Sequence, residues 1–160
     1  MSSGVRRTNA GEAATELILD VFRANGAFLA AGDRLAREQG LTAARWQVLG
    51  AVALAERPLT VSQIARRMGL TRQSVQASVD RLLEQRLLEA QVNPDHRRSP
   101  LMRLTDAGRD VYARLDRRQA DWIDELAANL GAEDLRRTAR VLRRLSDRLD
   151  AARATYDTER

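Results

Sequence analysis

The residues of this 160-residue chain that could do covalent chemistry are few. There is a single histidine, His96, and there is no cysteine. A serine nucleophile needs a histidine base held by a carboxylate, and no serine here is placed for such a triad. No glycine-rich phosphate loop is present. His96 and the adjacent Asp95 offer two metal ligands where zinc takes three or four. No catalytic residue, metal site or cofactor is therefore assigned, and an enzyme is not expected. The residues that stand out are suited to non-covalent recognition. Gln73, Gln76 and Ala77 fall on one side of a short amphipathic segment, with Asp80 among them and Arg72, Ser74 and Arg81 beside them. Glutamine can make two hydrogen bonds to adenine, alanine can touch a thymine methyl, and serine or arginine can hold phosphate or guanine. Downstream lie Arg97 and Arg98, in a turn-rich stretch.

Charge supports a polyanionic partner. The net charge is +5, and every basic residue is arginine. Between Arg57 and Arg103 nine arginines face four acids, whereas the remainder holds 18 of each sign. The whole excess sits in one central segment, the footprint of a nucleic-acid-binding module in a neutral frame.

The elements that position these residues follow from periodicity and punctuation. Leu17, Val21, Ala24, Phe28, Ala31 and Leu35 alternate spacings of four and three, a helical stripe at heptad spacing that Gly40 ends. Thr42 can cap a second helix with Trp46, Leu49, Val52 and Ala53 inward. Thr60-Val-Ser-Gln63 has capping-box spacing and opens a short helix with Ile64, Ala65 and Met68 inward. Gly69 breaks it, and Thr71 caps the next, whose inward face is Val75, Val79, Leu82 and Leu83. The period then becomes two. Leu88, Ala90 and Val92 alternate with Glu89 and Gln91, and Met102 and Leu104 flank Arg103, which predicts a hairpin around Asn93–Ser99. Thr105-Asp106 caps a long helix striped by Val111, Leu115, Trp122, Leu126 and Leu130, stopped by Gly131. A last helix carries Leu135, Leu142 and Leu149 at intervals of seven, with Leu145 between.

Two short helices about a glycine turn, followed by a basic hairpin, constitute a winged helix-turn-helix. The expected fold is mainly α with a small β-hairpin wing: a polar arm over 1–11, an N-terminal helix over 12–40, the DNA-binding lobe over 41–104, C-terminal helices over 105–153 and a tail over 154–160. The DNA-binding set is Ser62, Thr71, Arg72, Gln73, Ser74, Gln76, Ala77, Arg81, Arg97 and Arg98. No apolar run reaches the ~18 residues of a membrane span, and the N-terminus does not read as a secretory leader. No membrane partner is expected, and the cytoplasm is the expected compartment.

Residues 41–109 resemble the multiple-antibiotic-resistance regulator (MarR) family. The matching stretches are Leu41-Thr-Ala-Ala-Arg-Trp-Gln-Val-Leu49, Pro58 to Leu70, Thr71 to Gln76, Asn93 to Ser99, and Leu104 to Arg109. The resemblance implies a homodimeric, sequence-specific transcriptional regulator, usually a repressor, on double-stranded DNA. It implies terminal helices that intertwine between subunits, and the stripes suit that role: Leu17, Val21, Phe28, Leu135, Leu142, Leu145 and Leu149 are the dimerisation candidates. The recognition helix from Thr71 would enter the major groove and the wing the flanking minor groove. A small aromatic effector is a further implication, with Phe22, Asn25, Phe28, Arg45 and Trp46 as candidate lining; the ordinary reading of Phe28 and Trp46 is as core. One position departs from the family pattern: His96 stands where an Asp normally steadies the wing arginine. Asp95 can substitute for it, or His96 can hydrogen-bond there instead. The competing reading is a nucleoid-type architectural protein. Such proteins use dispersed basic charge and apolar wedges, whereas here the charge is confined and the helix face is rich in Gln and Ser.

Overall fold

The computed structural model describes residues 6–158. Residues 1–5 of the expected arm and 159–160 of the expected tail lie outside the described residues. Both expected boundaries shift. Helix α1 runs Asn9–Ala36 rather than starting after residue 11, because Thr8 supplies an N-cap: its hydroxyl accepts from the Gly11 amide at 3.1 Å. Helix α6 runs Ala132–Thr158 and so takes in most of the expected tail.

A single 3-10 turn, Arg37–Gln39, closes on Gly40 in the left-handed region at φ 68°. Helix α2 (Ala43–Ala53) is capped twice. Thr42 accepts from the Arg45 amide, and the Asp33 carboxylate of α1 accepts from the Ala43 amide at 2.6 Å. Helix α3 (Val61–Met68) opens on a complete capping box: Thr60 accepts from the Gln63 amide, and Gln63 Oε1 accepts from the Thr60 amide. Gly69 at φ 65° ends α3, and Thr71 caps α4 (Arg72–Glu84). Strands β1 (Leu88–Gln91) and β2 (Leu101–Leu104) pair antiparallel with Leu88 opposite Leu104 and Gln91 opposite Leu101. Thr105 accepts from the Gly108 amide to cap α5 (Asp106–Ala127). That helix ends four residues before Gly131, with Asn129 at φ 67° in the connection.

The chain divides into two compact units, 1–119 and 120–160. The first has one continuous core. Leu49 of α2, Ile64 of α3, Leu82 of α4, Met102 of β2 and Leu115 of α5 are fully buried at its centre. Val75, Val79 and Leu82 turn one face of α4 inward, as their spacing predicts. At α5, Arg118 pairs with Glu38 and Arg114 donates to Gln39 Oε1 at 3.0 Å, fastening this helix to the turn after α1. The second unit is the end of α5 with α6, and no described residue of α6 is buried. No helix among the described residues is long and apolar enough to cross a membrane.

Alternation in the hairpin is only half realised. Leu88, Met102 and Leu104 face the core, but Ala90 is exposed and Val92 is 85% exposed. The period of two is right, yet Val92 lies past the end of β1, and Ala90, opposite buried Met102, borders an open concavity beside α4.

Candidate nucleic-acid interface

The recognition face is built on α4. Burial of Val75 and Val79 against α3 fixes the helix's rotation, and this leaves Arg72, Gln73, Ser74, Ala77, Asp80 and Arg81 exposed with Gln76 half-buried. Thr71 and Ser74 belong to the cap: Thr71 Oγ1 accepts from the Ser74 amide at 3.2 Å, and the Ser74 hydroxyl donates to the Thr71 carbonyl at 3.0 Å. The first turn of α4 is thereby rigid, with its remaining amides directed outward, where a helix N-terminus favours anions. Arg81 pairs with Glu84 at 2.8 Å. This exposed pair leaves Arg81 partly neutralised.

A concavity of about 280 Å³ lies between the opening of α3, the flank of α4 and the wing. Ser62, Arg72, Gln76 and Arg98 all line it, and so do Ser99 and Pro100. Four residues up to 36 positions apart are thus gathered on one surface, and two of them are cationic. Val79, Leu83 and Met102 form its apolar floor. Gln73, Ala77, Ser74 and Arg81 lie outside this concavity, elsewhere on α4, and Arg97 sits exposed in the wing loop.

The wing is held by a residue that the sequence reading did not single out. Asn93 is only 5% exposed. Its Nδ2 donates to the Ser99 carbonyl at 2.9 Å, and its Oδ1 accepts from the Asp95 amide at 3.1 Å. The Ser99 amide also donates to the His96 carbonyl at 2.9 Å. Among the described residues no ion pair joins Asp95 to Arg97 or Arg98. The side-chain amide of Asn93 instead orders the backbone of the loop that carries Arg97 and Arg98. The signal was present in Asn93-Pro-Asp95, since an asparagine opening a turn bonds the amide two residues on. At its root the wing is secured by Leu59, whose amide and carbonyl bond Met102 as an isolated bridge.

The candidate effector residues separate. Trp46 is core, packed near Gly32 where α1 crosses α2. Phe28 is 55% exposed, so it is not core here, and Phe22 is 68% exposed. Asn25 is exposed on the same helix, and half-buried Arg45 turns its Nε toward Thr42 Oγ1 at 3.3 Å.

Comparison with known proteins agrees with this architecture. The MarR family model matches residues 39–99, the stretch from the end of the 3-10 turn after α1 through the wing loop. The chain belongs to the MarR family of winged helix-turn-helix transcriptional regulators. The chain is 41% identical over 128 residues to an uncharacterized protein of Mycobacterium tuberculosis, covering 76% of this chain and 88% of the relative. Its fold is similar to that of AbsC, a MarR family regulator from Streptomyces coelicolor, with TM-score 0.76 and 17% identity over 92% of this chain and 99% of the other. It is also similar to Staphylococcus aureus MarR in complex with salicylate and kanamycin, with TM-score 0.73 and 16% identity over 86% and 93%. At such identities the two structures establish the common fold. The family is one of regulators rather than enzymes.

Proposed function

We propose that this MarR family chain is a non-enzymatic cytoplasmic repressor that binds a palindromic operator as a homodimer and is released by a small aromatic ligand. The observation that carries the DNA-reading part is the concavity gathering Ser62, Arg72, Gln76 and Arg98 between recognition helix and wing. Arg72, Arg97 and Arg98 anchor phosphates or the minor groove, while Gln73, Gln76 and Ala77 read base edges. Ser62, Thr71 and Ser74 offer hydroxyls at the openings of the two helices.

Dimerisation is supported by apolar surface that one chain leaves uncovered. Ile18, Leu19, Val21, Phe22 and Phe28 are exposed along α1, as are Leu135, Val141 and Leu149 (72%) along α6. Leu17, Leu142 and Leu145 are half-buried within the same stripes. Monomeric proteins rarely expose apolar patches of this extent. Two-fold symmetry would set the recognition helices about 34 Å apart, one turn of duplex. For the effector part, Phe22 and Phe28 are exposed aromatic side chains on α1, while Arg45 and Trp46 belong to the neighbouring helix α2. The salicylate-bound relative supplies the chemical precedent. Any such ligand must favour the DNA-incompetent conformation to act.

Selection from a random duplex library at ~150 mM salt tests the reading, because phosphate attraction is then reduced. An enriched palindrome with half-sites one turn apart is expected, and salicylate-like acids should lower its affinity. Binding without enrichment would indicate an architectural protein instead.

A further inference from the structure

We infer that Asp80 determines specificity by holding the Gln76 amide, so that the two residues together read adenine and reject guanine. This rests on the sequence-specific DNA reading proposed above. Gln76 Nε2 donates to Asp80 Oδ1 at 2.8 Å, one helical turn along α4. An ionised carboxylate has no proton to donate, so the amide nitrogen must face it and the amide oxygen must turn the other way. The side chain that lines the concavity with Arg72 and Arg98 therefore has a defined polarity before any duplex arrives.

Asp80 leaves the amide one free N–H and one acceptor. Adenine presents an N6 donor beside the N7 acceptor in the major groove, and this is the complement of what remains. Guanine presents two acceptors, O6 and N7. A held Gln76 can satisfy only one of them and sets its own oxygen, with the Asp80 charge behind it, against the other. Asp80 forms no ion pair among the described residues, and the nearby Arg81 is engaged with Glu84. Its charge is thus not cancelled within α4. A bare carboxylate on a face that approaches a polyanion weakens general attraction. It contributes where base discrimination is worth more than that loss.

The test uses the full chain as Asp80→Ala, Gln76→Ala and the double variant, on the site selected by wild type and on its adenine-to-guanine changes. Asp80 is exposed, so the variants should fold, and circular dichroism checks that they do. Gln76→Ala locates the base pair that Gln76 reads. At that same pair Asp80→Ala should lose about tenfold or more of the adenine preference, the scale of one bidentate contact. Its affinity for unrelated duplex should stay level or rise, and the double variant should lose little more than either single one. An unchanged preference in Asp80→Ala would overturn the inference and leave the DNA-reading proposal standing. So would losses that add in the double variant. If wild type selects no site at all, both fall together.

Discussion

Replacing Gly108 with alanine should destabilise the chain by roughly 2–3 kcal/mol, although alanine is the better helix former. Gly108 lies in the first turn of α5 and is buried against the residues that enter the wing. A Cβ built there would stand 2.0 Å from the Leu87 carbonyl oxygen and 3.3 Å from Leu104 Cδ2. The nearest neighbour is backbone, so no rotamer change relieves the clash. The carbonyl must retreat by about 1 Å to reach even the closest contact that side chains tolerate. That oxygen accepts from the Thr105 amide at 3.2 Å and from the Thr105 hydroxyl at 3.3 Å. Overpacking a tight site costs about 1–3 kcal/mol, and weakening two hydrogen bonds adds about 1–2 kcal/mol. Helix propensity returns at most about 1 kcal/mol. For a chain of this size the net loss should lower Tm by roughly 5–10 °C. Thermal melting at fixed protein concentration measures it, since an oligomer's Tm depends on concentration. Gly26 of α1 is the internal comparison, because an added methyl there meets nothing within 4 Å in the chain. Gly26→Ala should raise stability by about 0.5–1 kcal/mol. A Gly108→Ala variant melting at or above wild type would refute the reasoning, as would equal losses at both glycines.

Three further outcomes are expected. Arg98→Ala should weaken binding to every duplex alike and reduce the slope of log affinity against log salt by about one, read by titration at several salt concentrations. Val21→Asp with Leu149→Asp, both on exposed apolar surface, should leave the lobe folded but sediment as a monomer and lose operator affinity together. Burial, and after it the Asp116 carboxylate, raises the Tyr112 phenol above its usual 10.0. Folding therefore favours the neutral phenol: its contribution is fully present below pH 10 and is lost as pH rises through the folded pKa. Tyr112→Phe should flatten that alkaline loss in melts taken between pH 9 and 11.5.

Much of the scaffold follows from the sequence because the rules involved act within a turn or two of chain. Thr42, Thr60, Thr71 and Thr105 each sit beside the amide they cap. Gly40 and Gly69 adopt the left-handed backbone that ends a helix. A spacing of three and four tells which face of α4 turns inward, and the opposite face, with Gln73, Gln76 and Ala77, is then determined as well. The tertiary structure decided whatever depends on residues distant in sequence. Arg86 takes φ 56° between α4 and β1 with no glycine to announce it, since Leu87 must reach both Leu82 and Thr105. Leu59 joins the wing only because Met102, 43 residues later, arrives beside it. Ala90 and Val92 alternate like buried strand residues yet lie exposed, because alternation selects a face and says nothing of whether anything covers it. Ser62, Arg72, Gln76 and Arg98 are individually readable as contacts, but their concavity comes from the packing of α3, α4 and the wing. Local hydrogen bonds are written in neighbouring residues; a shared surface requires the core that brings distant ones together.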